Sequence, residues 1–236
     1  MIILKTAYFY ILAVKINLIK ILKKIYFKTG FYKKSLISKV PSQFFFFPNP
    51  FLMSSFSNYK KFAFQINSLD PNKFWSQSYS YKEKKELHNF LWLSSIDRKD
   101  NSSTLRKIIS LWNLDNLKYK SLIWETSVIS KRIMSWILNA DIILKNSNFE
   151  FRRDFIESII IQTNHLKKNF RYETSHQKKI EVITALILSG LVFREYEENF
   201  EIGLKELEKL IKIFFDNNGF PLTRSPNDLL VHTKYF

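Results

Sequence analysis

Two segments decide the fold: residues 174–193, TSHQKKIEVITALILSGLVF, and residues 202–215, IGLKELEKLIKIFF. In the first, Ile180, Ile183, Ala185, Leu186, Ile187, Gly190 and Leu191 recur at helical spacing behind the opener Thr174-Ser175-His176. In the second, Ile202, Leu207, Leu210, Ile211, Phe214 and Phe215 fall on one face. The turn Asp216-Asn217-Asn218-Gly219 follows, and then Leu222-Thr223-Arg224-Ser225-Pro226. The pair reads as a helical hairpin closed by a polar loop that carries one arginine.

Working outward, the same period recurs. Phe151, Phe155, Ile159, Gln162 and Leu166 mark a helix over Phe149 to Phe170. Val128, Ile129, Arg132, Ile133, Trp136, Ile137 and Ala140 mark one opened by Thr126 or Ser127. Leu105, Ile108, Ile109 and Trp112 mark another, capped by Ser102 or Ser103 after a polar loop from Asp97 to Ser103. Tyr81 to Ile96 reads as one helix with Leu87, Phe90 and Leu91 on a single face. Short loops between long helices force antiparallel neighbours. The fold class is therefore all-α, a row of antiparallel helical hairpins over residues 74–236, and no fixed-period repeat marks a solenoid.

The remainder of the chain has a different character. Residues 1–30 form an apolar, lysine-rich helix, with Thr6 to Val14 between Lys5 and Lys15 too short to span a bilayer. Three readings stay open for it: an amphipathic helix docked on the domain, which ranks first, an interfacial membrane helix, or an uncleaved signal. Residues 31–73 form an irregular arm. Pro41, Pro48 and Pro50 bracket Phe44 to Phe47 and exclude a continuous helix, whereas Lys61 to Asn67 alternates like a short strand. The arm's aromatics read first as anchors that pin it to helices and second as a sugar-stacking platform.

Composition narrows the function classes. A content of 46% hydrophobic residues with 23 Phe and 5 Trp excludes disorder. The absence of cysteine excludes disulfides and thiolate chemistry. The formal charge of +16, from 37 Lys+Arg against 21 acids, suits a polyanionic partner, although a lysine-rich composition alone would also produce it. There is no phosphate loop, dinucleotide fingerprint or nucleophile elbow. The histidines His88, His165, His176 and His232 lack metal-ligand spacing. Trp92, Trp112, Trp124 and Trp136 fall at helical positions and read as core.

Four motifs in order are similar to the N-terminal helical domain of the heparinase II/III-like polysaccharide lyases. They are Leu87-His88-Asn89-Phe90-Leu91-Trp92-Leu93; Trp124 followed by Ser130-Lys131-Arg132-Ile133-Met134-Ser135-Trp136-Ile137; Gln162 to Leu166, then Ser175-His176 and Ala185 to Leu191; and Asp216 to Phe220 leading to Arg224-Ser225-Pro226. The resemblance implies part of an incomplete (α/α) toroid, with a C-terminal β-sheet domain in full-length relatives, and hence that the chain is a fragment of a longer protein. It implies action on, or binding of, acidic (uronate) polysaccharide by β-elimination chemistry, without a cofactor or metal. That chemistry needs a neutralised C5 carboxylate, a base and an acid.

By the same resemblance His176 matches a catalytic histidine. Ser175 stands where the family has asparagine, and Asp228 where it has tyrosine. A carboxylate facing a substrate carboxylate is electrostatically unsuited to that role. The expectation is therefore binding with little or no turnover. Arg132, Arg224 and Trp124 are the candidate substrate-binding residues, the arginines suiting carboxylate or sulfate through their planar fork; the equal alternative is that both arginines tie helix ends and loops together. The alternative is a non-catalytic basic helical module for nucleic acid or an anionic membrane surface, the latter contacted through residues 1–28. Nucleic acid ranks below polysaccharide because no recognised binding motif is present. Periplasm or cell envelope ranks ahead of cytoplasm.

Overall fold

The computed structural model describes residues 2–52, 70–75, 78–96, 98 and 101–235. The helices are α1 (Ile2–Phe27), α2 (Gly30–Leu36), α3 (Pro71–Phe74), α4 (Tyr81–His88), α5 (Ser102–Asn116), α6 (Thr126–Leu138), α7 (Ala140–Ile143), α8 (Phe149–Asn169), α9 (His176–Val192), α10 (Glu197–Phe214) and α11 (Pro226–Tyr235). Among the described residues there is no strand, and the one isolated bridge pairs Phe215 with Pro221. The fold is all-α. The segment read as a strand, Lys61 to Asn67, lies outside the described residues.

Helix α9 is the centre of the fold. It packs most extensively on α10 and α6 and also meets α8 and α11. That position explains why it is apolar on nearly every side, with Ile180, Val182, Ile183, Ala185, Leu186 and Val192 all buried. Two glycines let α10 approach closely. A Cβ on Gly190 would fall 2.4 Å from the Phe200 backbone nitrogen, and one on Gly203 2.5 Å from the Ile187 side chain.

The helix starts follow from local chemistry. Ser80 and Glu83 form a reciprocal capping box at α4. The Asn148 side chain accepts the Phe151 N–H at α8, and Ser175 accepts from Lys178 at α9. At α5 and α6 the cap positions are Asn101 and Glu125, and the expected hydroxyl residues Ser102 or Ser103 and Thr126 or Ser127 fall one or two positions later, inside the first turn.

The expected single helix over Tyr81 to Ile96 is not formed. Phe90 takes a left-handed conformation (φ 59°), and the chain resumes as a 3-10 turn over Leu91–Ser95. The Asn89 side chain accepts the Leu91 N–H at 2.8 Å, and Ser135 Oγ donates to the Phe90 carbonyl at 2.5 Å. Phe90 itself is fully buried against Trp92, Trp112 and Trp136, with ring centroids 5.1–6.0 Å away. Burial of this ring offsets a backbone state that costs a non-glycine residue of order 1–3 kcal/mol.

The N-terminal segments meet the body at few places. α2 lies on α8, where Tyr32 Oη sits 2.6 Å from His165 Nδ1 and the Asn164 and Lys168 side chains donate to the Leu36 and Ser35 carbonyls. In the arm, Phe44 is the buried anchor and the Phe45 N–H donates to the Val192 carbonyl, while Phe46 and Phe51 stay exposed. α1 does not dock an apolar face as expected. Its described apolar side chains other than the half-buried Phe27 are exposed, and contact comes through Lys23 over the Tyr172 ring and through Phe27.

Candidate functional site

The residues singled out by sequence separate into two groups. Arg132 is fully buried in α6. Its Nε donates to Gln162 Oε1 at 2.6 Å, Nη1 to the His88 carbonyl at 2.7 Å and Nη2 to the Ile123 carbonyl at 3.2 Å, with the guanidinium 4.3 Å from the Trp112 ring centroid. Trp124 is 3% exposed and its Nε1 donates to the Asn116 carbonyl. Arg132 has no exposed surface, which corrects its reading as a substrate-binding residue, and Trp124 shows only an edge to a cavity it lines with Phe27, Tyr32 and Tyr119. Both tie loops to helices, Trp124 through one backbone carbonyl and Arg132 through two backbone carbonyls and the Gln162 amide oxygen.

The charge of Arg132 has consequences nearby. Burial, aided by this cation, lowers the pKa of both His88 and His165 to about 3. Both imidazoles are therefore neutral at pH 7. His88 Nδ1 accepts from Trp112 Nε1 at 3.0 Å, and Tyr32 supplies the hydroxyl facing His165.

His176 and Ser175 open α9 beside Phe214 at the end of α10, and Arg224 and Asp228 follow on the loop and the helix that leave Phe214. His176 is exposed in the first turn of α9, its ring 4.8 Å from that of Phe214 at the end of α10. The Phe214 carbonyl accepts the Leu222 N–H at 2.7 Å, so the returning loop is fastened beside His176. Within that loop Asp216 Oδ1 accepts the backbone N–H groups of Asn218 and Phe220, and Gly219 supplies a positive φ of 78°. These bonds, that from Phe220 first, hold the Asp216 carboxyl below its ordinary value. Arg224, itself left-handed (φ 53°), pairs through Nη2 with Asp216 Oδ2 at 2.7 Å and leaves 63% of its side chain exposed. Asp228 is half-buried in the first turn of α11, where its N–H donates to Ser225 Oγ.

Beside this end runs a charged network that the sequence reading missed. Glu125 accepts from Lys85 at 2.5 Å and from Lys178 at 3.1 Å. Burial opposes its ionisation, and these two ammonium groups overcome that, keeping the carboxyl low. Glu173 accepts from Thr126 Oγ1 and from the Ser175 N–H, so the beginnings of α6 and α9 are stitched together. Deeper in, Glu181 is 1% exposed, with Lys131 at 3.0 Å and the Tyr235 hydroxyl at 3.3 Å. Burial and then the Glu181 charge push the Tyr235 hydroxyl pKa up, so this phenol stays protonated. A lone acid inside the apolar run Ile180 to Leu188 was the sequence signal for this cluster.

Among the described residues no group of His, Asp and Glu is placed to hold a metal ion. No family model matches the chain, and no curated protein or solved structure is found to be similar to it.

Proposed function

We propose that this chain is the helical part of a heparinase II/III-like protein, built as a segment of an (α/α) toroid, and that it binds an acidic polysaccharide without turning it over. The observation that carries the reading is the α9–α10 hairpin end. There the exposed His176 at a helix N-terminus packs on Phe214, and the loop fastened to Phe214 through Leu222 carries the largely exposed Arg224. A helix start presents unpaired N–H groups and partial positive charge, and a guanidinium adds directed donors for carboxylate or sulfate.

The same geometry supports absence of elimination. Asp228 offers a carboxylate where the family resemblance calls for a phenol. The one described tyrosine drawn into the neighbouring network, Tyr235, is held protonated by burial and Glu181, so it cannot serve as the base.

The test is titration of uronate oligosaccharides, alginate and heparan sulfate derived, against the chain and its Arg224→Ala variant. Loss of about 1–3 kcal/mol of binding free energy is expected, the scale of a charged hydrogen bond. Formation of unsaturated uronate, read in the ultraviolet, should be absent. Equal binding by the variant removes the site, and clear turnover removes the non-catalytic reading. Preference for duplex nucleic acid over uronate would instead favour the general polyanion module.

A further inference from the structure

We infer that α1 is an interfacial helix that lies on an anionic lipid bilayer, with its apolar stripe inserted and its lysines at the headgroups. The stripe consists of Val14, Leu18, Ile21, Leu22 and Ile25, which share one face at 100° per residue. All five are between 55% and 66% exposed. The opposite side faces the body: Phe27, about 180° around from Leu18, packs its ring against Tyr32, Tyr119 and His165 with centroids 4.6–5.3 Å away. One turn earlier Lys23 Nζ lies 3.0 Å from the Tyr172 ring centroid. The domain therefore holds the helix through Phe27 and Lys23 and turns the Val14 to Ile25 stripe outward.

Charge complementarity selects the occupant. Residues 1–69 contain 11 lysines and no Asp, Glu or Arg. A second copy of α1 laid against the stripe would bring lysines together with no acid in this segment to pair them. A bilayer rich in acidic lipid supplies both an apolar layer and counter-charge, and an amphipathic helix with basic flanks lies in that interface. No helix among the described residues is long and apolar enough to cross a membrane. Where α1 ends, Lys28, Lys33 and Lys118 line a cavity of about 420 Å³ with Phe27 and Tyr119, so the basic surface continues onto the body.

The experiment is sedimentation of the full chain with vesicles of phosphatidylcholine alone or with about 30 mol% phosphatidylserine. Partition onto the acidic vesicles should exceed that onto neutral ones by at least about tenfold and fall as salt is raised. The variant L18N/I21N/I25N should lose roughly tenfold or more of that partition, with unchanged melting of the body. A second variant, K15Q/K24Q, changes only exposed groups and should lower the preference for acidic lipid severalfold. Arg224→Ala should bind vesicles like the parent, which separates this surface from the hairpin-end site. Equal partition onto both vesicles, or none, overturns the inference. So does a concentration-dependent dimer in sedimentation equilibrium that L18N/I21N/I25N dissolves, because the stripe would then belong to a second copy.

Discussion

Replacing Arg132 with methionine tests whether this arginine is a structural cross-tie. Methionine keeps most of the volume and removes the charge and all three donors. The parent side chain is fully buried and satisfies Gln162, His88 and Ile123 at 2.6–3.2 Å. Charged hydrogen bonds contribute about 1.5–3 kcal/mol each, so the gross loss is roughly 4.5–9 kcal/mol. Relief of a desolvated guanidinium returns several kcal/mol of this, which leaves about 3–5 kcal/mol of net destabilisation. For a chain of this size that lowers the melting temperature by roughly 6–20 °C. Urea unfolding followed by tryptophan emission measures it, through a lower midpoint at unchanged slope. An unchanged midpoint together with weakened oligosaccharide binding would refute the reasoning and return Arg132 to the binding surface.

Other outcomes follow from specific contacts. Gly190→Ala should cost about 1–3 kcal/mol despite its better helix propensity, because the new methyl meets the Phe200 backbone. Gly203→Ala should cost less, since the Ile187 side chain it meets can turn, and paired thermal melts would show the order. Lys131→Met should destabilise by about 3–5 kcal/mol by stranding the buried Glu181, with much of that recovered in K131M/E181L, as a double-mutant cycle would measure. The two neutral histidines, lowered to about 3 from an ordinary 6.5, make the unfolded chain the better proton binder below neutrality. Their contribution is complete above about pH 7 and is lost as pH falls through 6.5 toward 3, at up to about 1.4 kcal/mol per pH unit for each histidine. Urea midpoints at pH 7 and pH 5 would check this, and an unchanged midpoint would contradict it.

The long helices were legible because their apolar residues repeat with the period of the element that buries them. Ile180 to Leu191 and Ile202 to Phe215 announce α9 and α10, and the Asp216 to Gly219 turn announces the return. The break at Phe90 was not legible, because phenylalanine carries no turn signal. Its left-handed backbone is stabilised by tryptophans up to 46 positions away along the chain. Arg132 looked like a ligand-binding group because a charge on an apolar face has two physical solutions, a solvent opening or a set of buried acceptors. Only the fold shows that the His88 and Ile123 carbonyls converge on it. Likewise Lys85, Glu125 and Lys178 are ordinary surface charges by sequence, and only tertiary contact makes them a network. The orientation of α1 was open for the same reason: amphipathicity defines a face without saying what that face meets.

The strap of α2 across α8 has a consequence in time. Tyr32 finds His165 at a separation of 133 residues, and a helix of seven residues has too few internal bonds to persist alone. During synthesis at about 5–20 residues per second, roughly 7–27 s pass between the emergence of Tyr32 and that of its partner. Through that interval α2 lacks the helix it straps, and the α1 stripe stays uncovered. The α1 stripe is thus uncovered both before the body closes and after it.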